Sequence, residues 1–508
     1  MTLMKKKLPL FSFLFFATVL RITWKLYTHH TYEDAFISFR FARNISNGLG
    51  FVYNANEHIY GTTTPLFTIL LAAWTRVFPN FIVFGASMFG LLAGLTSIAL
   101  TWKLLDELQI DSSQKFLTIG ILVLSDKLWL HDMSGMETPL VICAMMASYF
   151  MLLRNKSVWA GVFAGILLWL RIDGIFWLCF LVLGSWFITR RFPIKFVMTT
   201  IMVYLPWCVF ATIYFGSPIP YTISAKWVAY YTIGRPSVFS RVSDLLRWLT
   251  PFSLPRFSPY LVTLIAIVTL IFSAMGAIAY RQHKWLMILP FFCLAEIARL
   301  VVMGETFATR YFVPLFWVLM ILFGSGLHAV WVYLSRRFDP KPLIVILTIA
   351  VYVGVSLWSS LQAAQLNKDT QYFVNDSSLK QLGFWLNANT PTSSTVFLEP
   401  LGYVGFYANR HMIDEVGLVS PQVIALKKEG YSTFDLITSF NPDYAVLHCD
   451  DALQASDTFL ARYVEVIELN PMDFNPHVPV KYDPENSSEF VKQNTFRPRA
   501  ACYQIWEK

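Results

Sequence analysis

The chain has 508 residues, of which 56% are hydrophobic and 14% charged, with a mean hydropathy of +0.50 and a formal net charge of +8. Soluble domains run nearer a quarter charged, so the composition argues against a soluble enzyme and for a polytopic membrane protein. The positive excess calls for no nucleic-acid partner, because most Lys and Arg before residue 360 sit in short clusters between apolar runs.

In chain order, Lys5-Lys6-Lys7 precede a first apolar run at 8–28. No small-x-small cleavage pattern follows its most apolar part, Leu8 to Leu20; Arg21 and Trp24 do, so the run reads as an uncleaved first span. Further runs lie near 65–77, 81–102, 116–131, 139–153, 157–170, 174–188, 195–215, 259–280, 285–303, 310–334 and 342–361. A span needs about 20 residues, which makes 65–77 the doubtful one. If 65–77 lies on the outer surface, the basic clusters at 103–115, 154–156, 190–195, 281–284 and 336–341 all fall inside. Counting it as a span reverses them. The expectation is therefore about eleven transmembrane helices, with interfacial helices in the first outer loop. Residues 1–361 form the membrane domain and 362–508 an extracytoplasmic tail.

The tail is a different solvent regime. Short apolar stretches (Thr395–Leu398, Tyr444–His448, Tyr463–Leu469, Ala501–Trp506) alternate with helical patterns (Ser378–Asn387, Pro421–Glu429, Phe434–Phe440, Asp457–Ala461). That alternation predicts a small α/β domain. Asn470–Pro498, rich in Pro, Asn and Asp, predicts a long loop. Cys449 and Cys502 lack metal-ligand spacing and can pair as a disulfide if the tail is outside the cytoplasm.

The same topology gathers the unusual polar residues on the outer face. The first outer loop opens YEDAFISFRFARN, two carboxylates followed by an amphipathic helix ended by Gly48-Leu49-Gly50. Asp34 stands at the helix start, where an aspartate commonly caps. A carboxylate at a membrane surface beside cations also suits glycosyl transfer: it can take the proton of an acceptor hydroxyl as that oxygen attacks a sugar carbon. Arg or Lys can stabilise the phosphate that leaves.

The chain resembles the GT-C class of membrane glycosyltransferases, which take sugar from a polyprenyl-phosphate donor. Within that class it is most similar to the terminal arabinofuranosyltransferase (AftB-like) type and its bacterial relatives. The resemblance is carried by YEDAFISFRFARNISNGLGFVYN with GTTTPL, SGMETPL, RIDG, GSPIPYTISAK, TRYFVP and EPLGYVGFYANRHMIDEVGLVSP, which recur across the outer loops. The relatives usually have two Asp where this chain has Glu33-Asp34, and Pro where it has Ile172. The resemblance implies a GT-C-like bundle and an inverting transfer with an acid of the first outer loop as base, Asp34 first and Glu33 second. It names neither the sugar nor the acceptor.

For the donor phosphate the candidates are Arg40, Lys226, Arg310 and Arg171. Three of them have a plainer alternative: Lys226 as a snorkelling lysine, Arg310 as a helix anchor, Arg171 as a partner of Asp173. Glu137, Glu305 and Tyr403 are candidates for acceptor or sugar binding. Glu137 can equally cap the next span, and the aromatic can equally belong to the tail's core. The sequence requires no cofactor, though outer-face acids leave room for a divalent cation. The implied partners are a polyprenyl-phosphate sugar, a glycan, lipid or protein acceptor, and membrane lipid. The implied location is the bacterial plasma membrane. A flippase of lipid-linked glycans and a non-catalytic envelope-assembly protein are the competing readings. A transporter is disfavoured because most ionisable residues crowd the outer ends rather than mid-span.

Overall fold

The computed structural model describes residues 2–228, 237–303, 309–338, 342–469 and 502–508. Among these, seven helices are long and apolar enough to cross a membrane. An eighth span results if Asp126–Met133 and Thr138–Leu153, bent by 109°, count as one. The other expected spans correspond to shorter helices: Ser112–Leu124, Ser157–Leu170 and Ile288–Met303. At 1.5 Å per residue, 14 residues reach about 21 Å, short of the roughly 30 Å of bilayer hydrocarbon. The expected run 116–131 is not one helix. It breaks at Ser125, where the backbone is extended (φ −78°, ψ 113°). Lys127 follows at once, its ammonium bonded to the carbonyls of Arg247, Trp248 and Thr250 at 3.1, 2.9 and 2.7 Å. That buried charge is satisfied only where the chain turns away from the run's axis.

Three N-terminal helices set up the face that meets the tail: α1 (Thr2–Thr28), α2 (Ala35–Ser46) and α3 (Pro65–Val77). Pro65 opens α3 at a position where no N–H is needed. The sequence places α2 at the membrane interface; it is instead buried on almost every side, Phe36, Phe39, Arg40, Phe41 and Asn44 included. It lies between α3 and the helix Leu401–Ala408 of the tail. The Phe36 ring is 3.9 Å from that of Tyr403, centroid to centroid. Domain docking, not lipid, covers its apolar face. Gly48, at φ +80°, ends the helix in the left-handed turn that suits glycine.

The boundary expected at 361–362 falls inside the helix Pro342–Asp369, which runs on through a wide turn (Thr370–Leu379) into Lys380–Asn389. The tail then forms a five-stranded sheet: β1 (Thr395–Leu398), β2 (His411–Asp414), β3 (Tyr444–His448), β4 (Val464–Leu469) and β5 (Tyr503–Glu507). The order is β2-β1-β3-β5-β4, with β2, β1 and β3 parallel and β5 antiparallel to both neighbours. Alternate residues face opposite layers. Val396, Leu398, Met412 and Val446 pack into the core shared with the bundle, while Phe397, Ile413, Ala445 and Trp506 pack under the outer helices. Cys449 and Cys502 are joined in a disulfide that ties the end of β3 to the start of β5. Of the expected 470–498 loop, all residues lie outside those described.

Candidate active site

The acids are placed by a short, heavily pinned loop. After α1 the chain turns at His29, in the left-handed region at φ 51°. The Tyr32 N–H then donates to the Ser134 carbonyl at 3.0 Å, and the Thr31 N–H to Gln371 Oε1 at 3.0 Å. The Asn375 amide donates back to the Thr31 carbonyl at 3.2 Å. One set of ties comes from the bundle, the other from the helical column leading to the tail. Glu33 and Asp34 are thus fixed where bundle and tail meet.

Their environments push them apart. The Asp34 carboxylate pairs with the Arg310 guanidinium. Burial raises its pKa, but the charges of Arg310 and Lys226 and the bonds from Arg310 and Glu33 overcome that and hold it at about 2. Glu33 goes the other way. Burial, then the neighbouring charges of Asp34 and Glu399, lift it well above the usual carboxylate range, opposed only by the Gly402 N–H that donates to its Oε1. A Cβ at residue 402 would fall on the Glu33 carbonyl and carboxylate, so the close approach requires glycine. The pair therefore favours a single charge, carried by Asp34, with the proton held on Glu33. The expected N-cap bond from Asp34 is absent: its side chain makes no cap contact and is turned to Arg310 instead.

Two chambers meet at Asp34. The smaller, about 320 Å³, is lined by Ser38, Thr62, Thr63, Thr64, Glu137, Lys226 and Arg310. The larger, about 700 Å³, is lined by Glu33, Glu399, Asn367, Thr370, Trp248 and Tyr503 among others. Tyr32, Asp34, Ile37, Thr309 and Leu418 belong to both walls.

Three of the four expected phosphate ligands converge on one aromatic ring. Arg171, Lys226 and Arg310 place their charged groups 4.4, 5.6 and 5.4 Å from the Tyr311 ring centre. The Lys226 ammonium also donates to the Tyr311 hydroxyl at 3.2 Å. Arg171 stands further back, held by Asp173 (Nε to Oδ1, 2.9 Å) and 3.8 Å from the buried Glu137. Lys226 and Arg310 border the smaller chamber directly.

The fourth, Arg40, is elsewhere. Its guanidinium donates to the carbonyls of Tyr53, Gly405 and Arg410 at 3.0, 2.7 and 2.7 Å, and it borders neither chamber. It fastens the segment between α1 and α3 to the tail. Tyr403 is likewise buried behind the loop, accepting from Gln371 Nε2 at 3.0 Å. Glu137 borders the smaller chamber and makes no side-chain cap bond. Glu305 lies outside the described residues. Sequence reasoning did not single out Glu399, the Thr62–Thr64 hydroxyls or Tyr503. Glu399 and the threonines lie in the quoted EPLGYVGFY and GTTTPL stretches, which carried the signal without naming the residue. Among the described residues, three candidate metal-ligating side chains come together only at Cys449, Glu468 and Cys502, two of which are bridged.

Residues 363–504 match a family described as "Domain of unknown function (DUF8728)". No curated protein matches the chain. Among solved structures, the fold is similar to that of ArnT from Cupriavidus metallidurans bound to undecaprenyl phosphate, with a TM-score of 0.56 and 14% identity over 87% of this chain and 93% of that one. It is also similar to the Archaeoglobus fulgidus oligosaccharyltransferase tethered to an acceptor peptide, with a TM-score of 0.54 and 11% identity over 88% of this chain and 70% of that one. Mycobacterial arabinofuranosyltransferase AftD matches at a TM-score of 0.48 and 14% identity, over 97% of this chain and 39% of that one. The chain is a multi-pass membrane protein with the GT-C fold of membrane glycosyltransferases.

Proposed function

We propose that the protein is an integral-membrane glycosyltransferase that moves a sugar from a polyprenyl-phosphate donor to an acceptor on the outer face of the membrane, with inversion. The observation that carries this reading is Asp34: one ionised carboxylate on the shared wall of two chambers, one of them bordered by Arg310 and Lys226. The donor phosphate sits with those two cations, and Arg171 reinforces their field from behind. Asp34 accepts the proton of the acceptor hydroxyl as that oxygen bonds to the anomeric carbon. The bond from that carbon to the phosphate oxygen breaks, and the polyprenyl phosphate leaves with the electron pair. Glu33, protonated, hydrogen-bonds Asp34 and holds its orientation.

A base held at about 2 is ionised but weak. The donor itself remedies that. A phosphate that draws Arg310 toward the smaller chamber takes it from Asp34, and the carboxylate regains basicity when the leaving group is in place. The fold neighbour ArnT was solved with undecaprenyl phosphate and the oligosaccharyltransferase with an acceptor peptide, which supports a lipid-phosphate donor and a separate acceptor. The Cys449–Cys502 disulfide and the basic clusters between spans support an outward-facing tail in a bacterial plasma membrane. Arg310 and Lys226 supply the positive charge the leaving phosphate needs, so the reading calls for no cofactor.

The test is sugar transfer from a panel of synthetic polyprenyl-phosphate pentoses and hexoses by the purified full-length protein, beside Asp34→Asn and Glu33→Gln. Transfer abolished in Asp34→Asn and reduced in Glu33→Gln is the expected result. Transfer that survives Asp34→Asn refutes the assignment of the base. Donor movement across liposomes without transfer identifies a flippase instead.

A further inference from the structure

Two consecutive helices, Ile175–Thr189 and Ile194–Phe215, are joined by a short turn, a connection that ordinarily leaves its helices packed against each other. Here glycines draw them to different neighbours. Helix Ile194–Phe215 lies on helix Ser157–Leu170 at Gly161 and Gly165. A Cβ at Gly161 would stand 2.6 Å from the Phe196 carbonyl oxygen, and one at Gly165 2.5 Å from the Val203 Cβ. This is the small-residue spacing by which membrane helices approach closely. Helix Ile175–Thr189 packs instead on Ile288–Met303, where a Cβ at Gly184 would overlap the Ile288 side chain.

A cleft of about 420 Å³ is left between the two. Ile175, Cys179 and Leu183 form one wall, Val197 and Ile201 the other, and Phe192 of the turn lines one end. Ile175, Leu183, Phe192 and Ile201 are half exposed, so the cleft opens outward from the bundle. It offers a ligand nothing polar: the hydroxyl of Thr200 donates to the Phe196 carbonyl at 2.9 Å. An unfilled gap forfeits the dispersion contacts of both walls, and the apolar group at hand in a bilayer is an acyl chain.

The end marked by Phe192 is basic. Arg190, Arg191 and Lys195 stand around it, all exposed, and among the described residues none has a carboxylate partner. Other basic segments between spans are met by the protein's own acids: Lys115 pairs with Asp106, and Arg154 lies 3.5 Å from Glu107. Cations clustered at the end of membrane helices attract anionic headgroups. They are also remote from the donor cations. Arg171, which shares the Tyr311 ring with Lys226 and Arg310, precedes the start of helix Ile175–Thr189, whose 15 residues put the basic turn about 22 Å away.

We propose that this cleft is a binding site for an anionic phospholipid, with one acyl chain between the two helices and the phosphate on Arg190, Arg191 and Lys195. The lipid completes the packing that Gly161, Gly165 and Gly184 leave open. The site is separate from the donor site and stands whether or not the donor reading does.

The experiment uses the purified full-length protein, delipidated in a non-ionic detergent, with dioleoyl phosphatidylglycerol, dioleoyl phosphatidylcholine and undecaprenyl phosphate as probes. Cys179 is exposed on the cleft wall, so its rate of maleimide labelling, mapped by peptide mass spectrometry, reports occupancy. Phosphatidylglycerol should slow Cys179 about tenfold, as a filled site shields its wall, and leave Cys208, outside the cleft, unchanged. Phosphatidylcholine at the same concentration should protect neither. Arg190→Gln, Arg191→Gln and Lys195→Gln together should raise the phosphatidylglycerol needed for protection about 10- to 100-fold. Arg281→Gln with Lys284→Gln, on another basic turn, should not. Val182→Trp, which fills the cleft and leaves the turn intact, should lose the phosphatidylglycerol retained in native mass spectrometry. An unchanged Cys208 rate shows that each variant is folded. Equal protection by phosphatidylcholine, no protection by phosphatidylglycerol, or wild-type protection in the triple variant would each overturn the proposal. Protection by undecaprenyl phosphate that exceeds that by phosphatidylglycerol and is lost in Lys226→Met would give the cleft to the donor's chain instead.

Discussion

Removing the negative charge of Asp34 should abolish turnover and yet tighten donor binding. In the unliganded protein the Arg310 guanidinium is engaged by Asp34, so a donor phosphate must compete for it. The pairing is reflected in the Asp34 carboxyl, held at about 2 against an ordinary value of 3.8. At full value that difference corresponds to about 2 kcal/mol. The Asp34 side chain is 44% exposed and that of Arg310 16%, so solvent screening leaves about 1 kcal/mol. Asp34→Asn returns this to the phosphate, a gain of about fivefold in affinity. Isothermal titration of the purified variant with undecaprenyl phosphate measures it, and the gain should shrink as salt rises. An Asp34→Asn protein that binds the lipid phosphate no better than wild type, while transferring no sugar, would show that Arg310 is not shared between carboxylate and donor. The activation of the base by the donor would then have to be abandoned.

Two arginines that look alike in the sequence should separate in the test tube. Arg310→Gln is expected to weaken lipid-phosphate binding about 10- to 100-fold, as loss of a charged hydrogen bond does. Arg40→Gln leaves three carbonyls short of a donor, costs about 3 kcal/mol or more, and should lower the melting temperature with donor affinity of the folded protein unchanged. Docking of the tail should weaken as pH rises. Glu399 is raised from 4.5 to about 7 and Glu33 is shifted in the same direction, so the contribution of Glu399 is full below about 4.5 and lost as pH climbs through about 7. Asp34 acts oppositely, but only between 3.8 and about 2. Hydrogen exchange in Leu401–Ala408, corrected for intrinsic rates, should therefore quicken between pH 5 and pH 8, and Glu399→Gln should flatten that rise. Reduction of Cys449–Cys502, which closes 53 residues, should cost the tail about 4 kcal/mol and free β5 for exchange first.

The sequence was a good guide wherever one property of a segment sufficed. Hydropathy marked the long spans, because a bilayer imposes length and apolarity residue by residue. Short apolar stretches marked β1, β3, β4 and β5 within a residue or two. It failed where a partner distant in the chain decides. The four residues His411–Asp414 carry too little pattern to announce β2, which exists because β1 offers it an edge. The 116–131 run is apolar on average and still breaks, because Lys127 finds its carbonyls more than 100 residues away. For the same reason α2, amphipathic in the sequence, is buried all round by a helix some 360 residues downstream.

Taken alone, the sequence determined that the chain crosses a membrane, that most of its ionisable residues lie at the ends of spans rather than within them, and that an α/β unit follows. Tertiary structure decided how those charges are used. Arg40 and Arg310 have the same side chain on the same face, and only the fold gives one to backbone carbonyls and the other to Asp34. Glu33 and Asp34 are neighbours, and only the fold sets Glu399 and the Gly402 N–H on one, Arg310 and Lys226 on the other. Composition is a sum over residues, whereas the protonation and pairing of a buried charge depend on which groups lie within a few ångströms of it, and that neighbourhood exists only once the chain is folded.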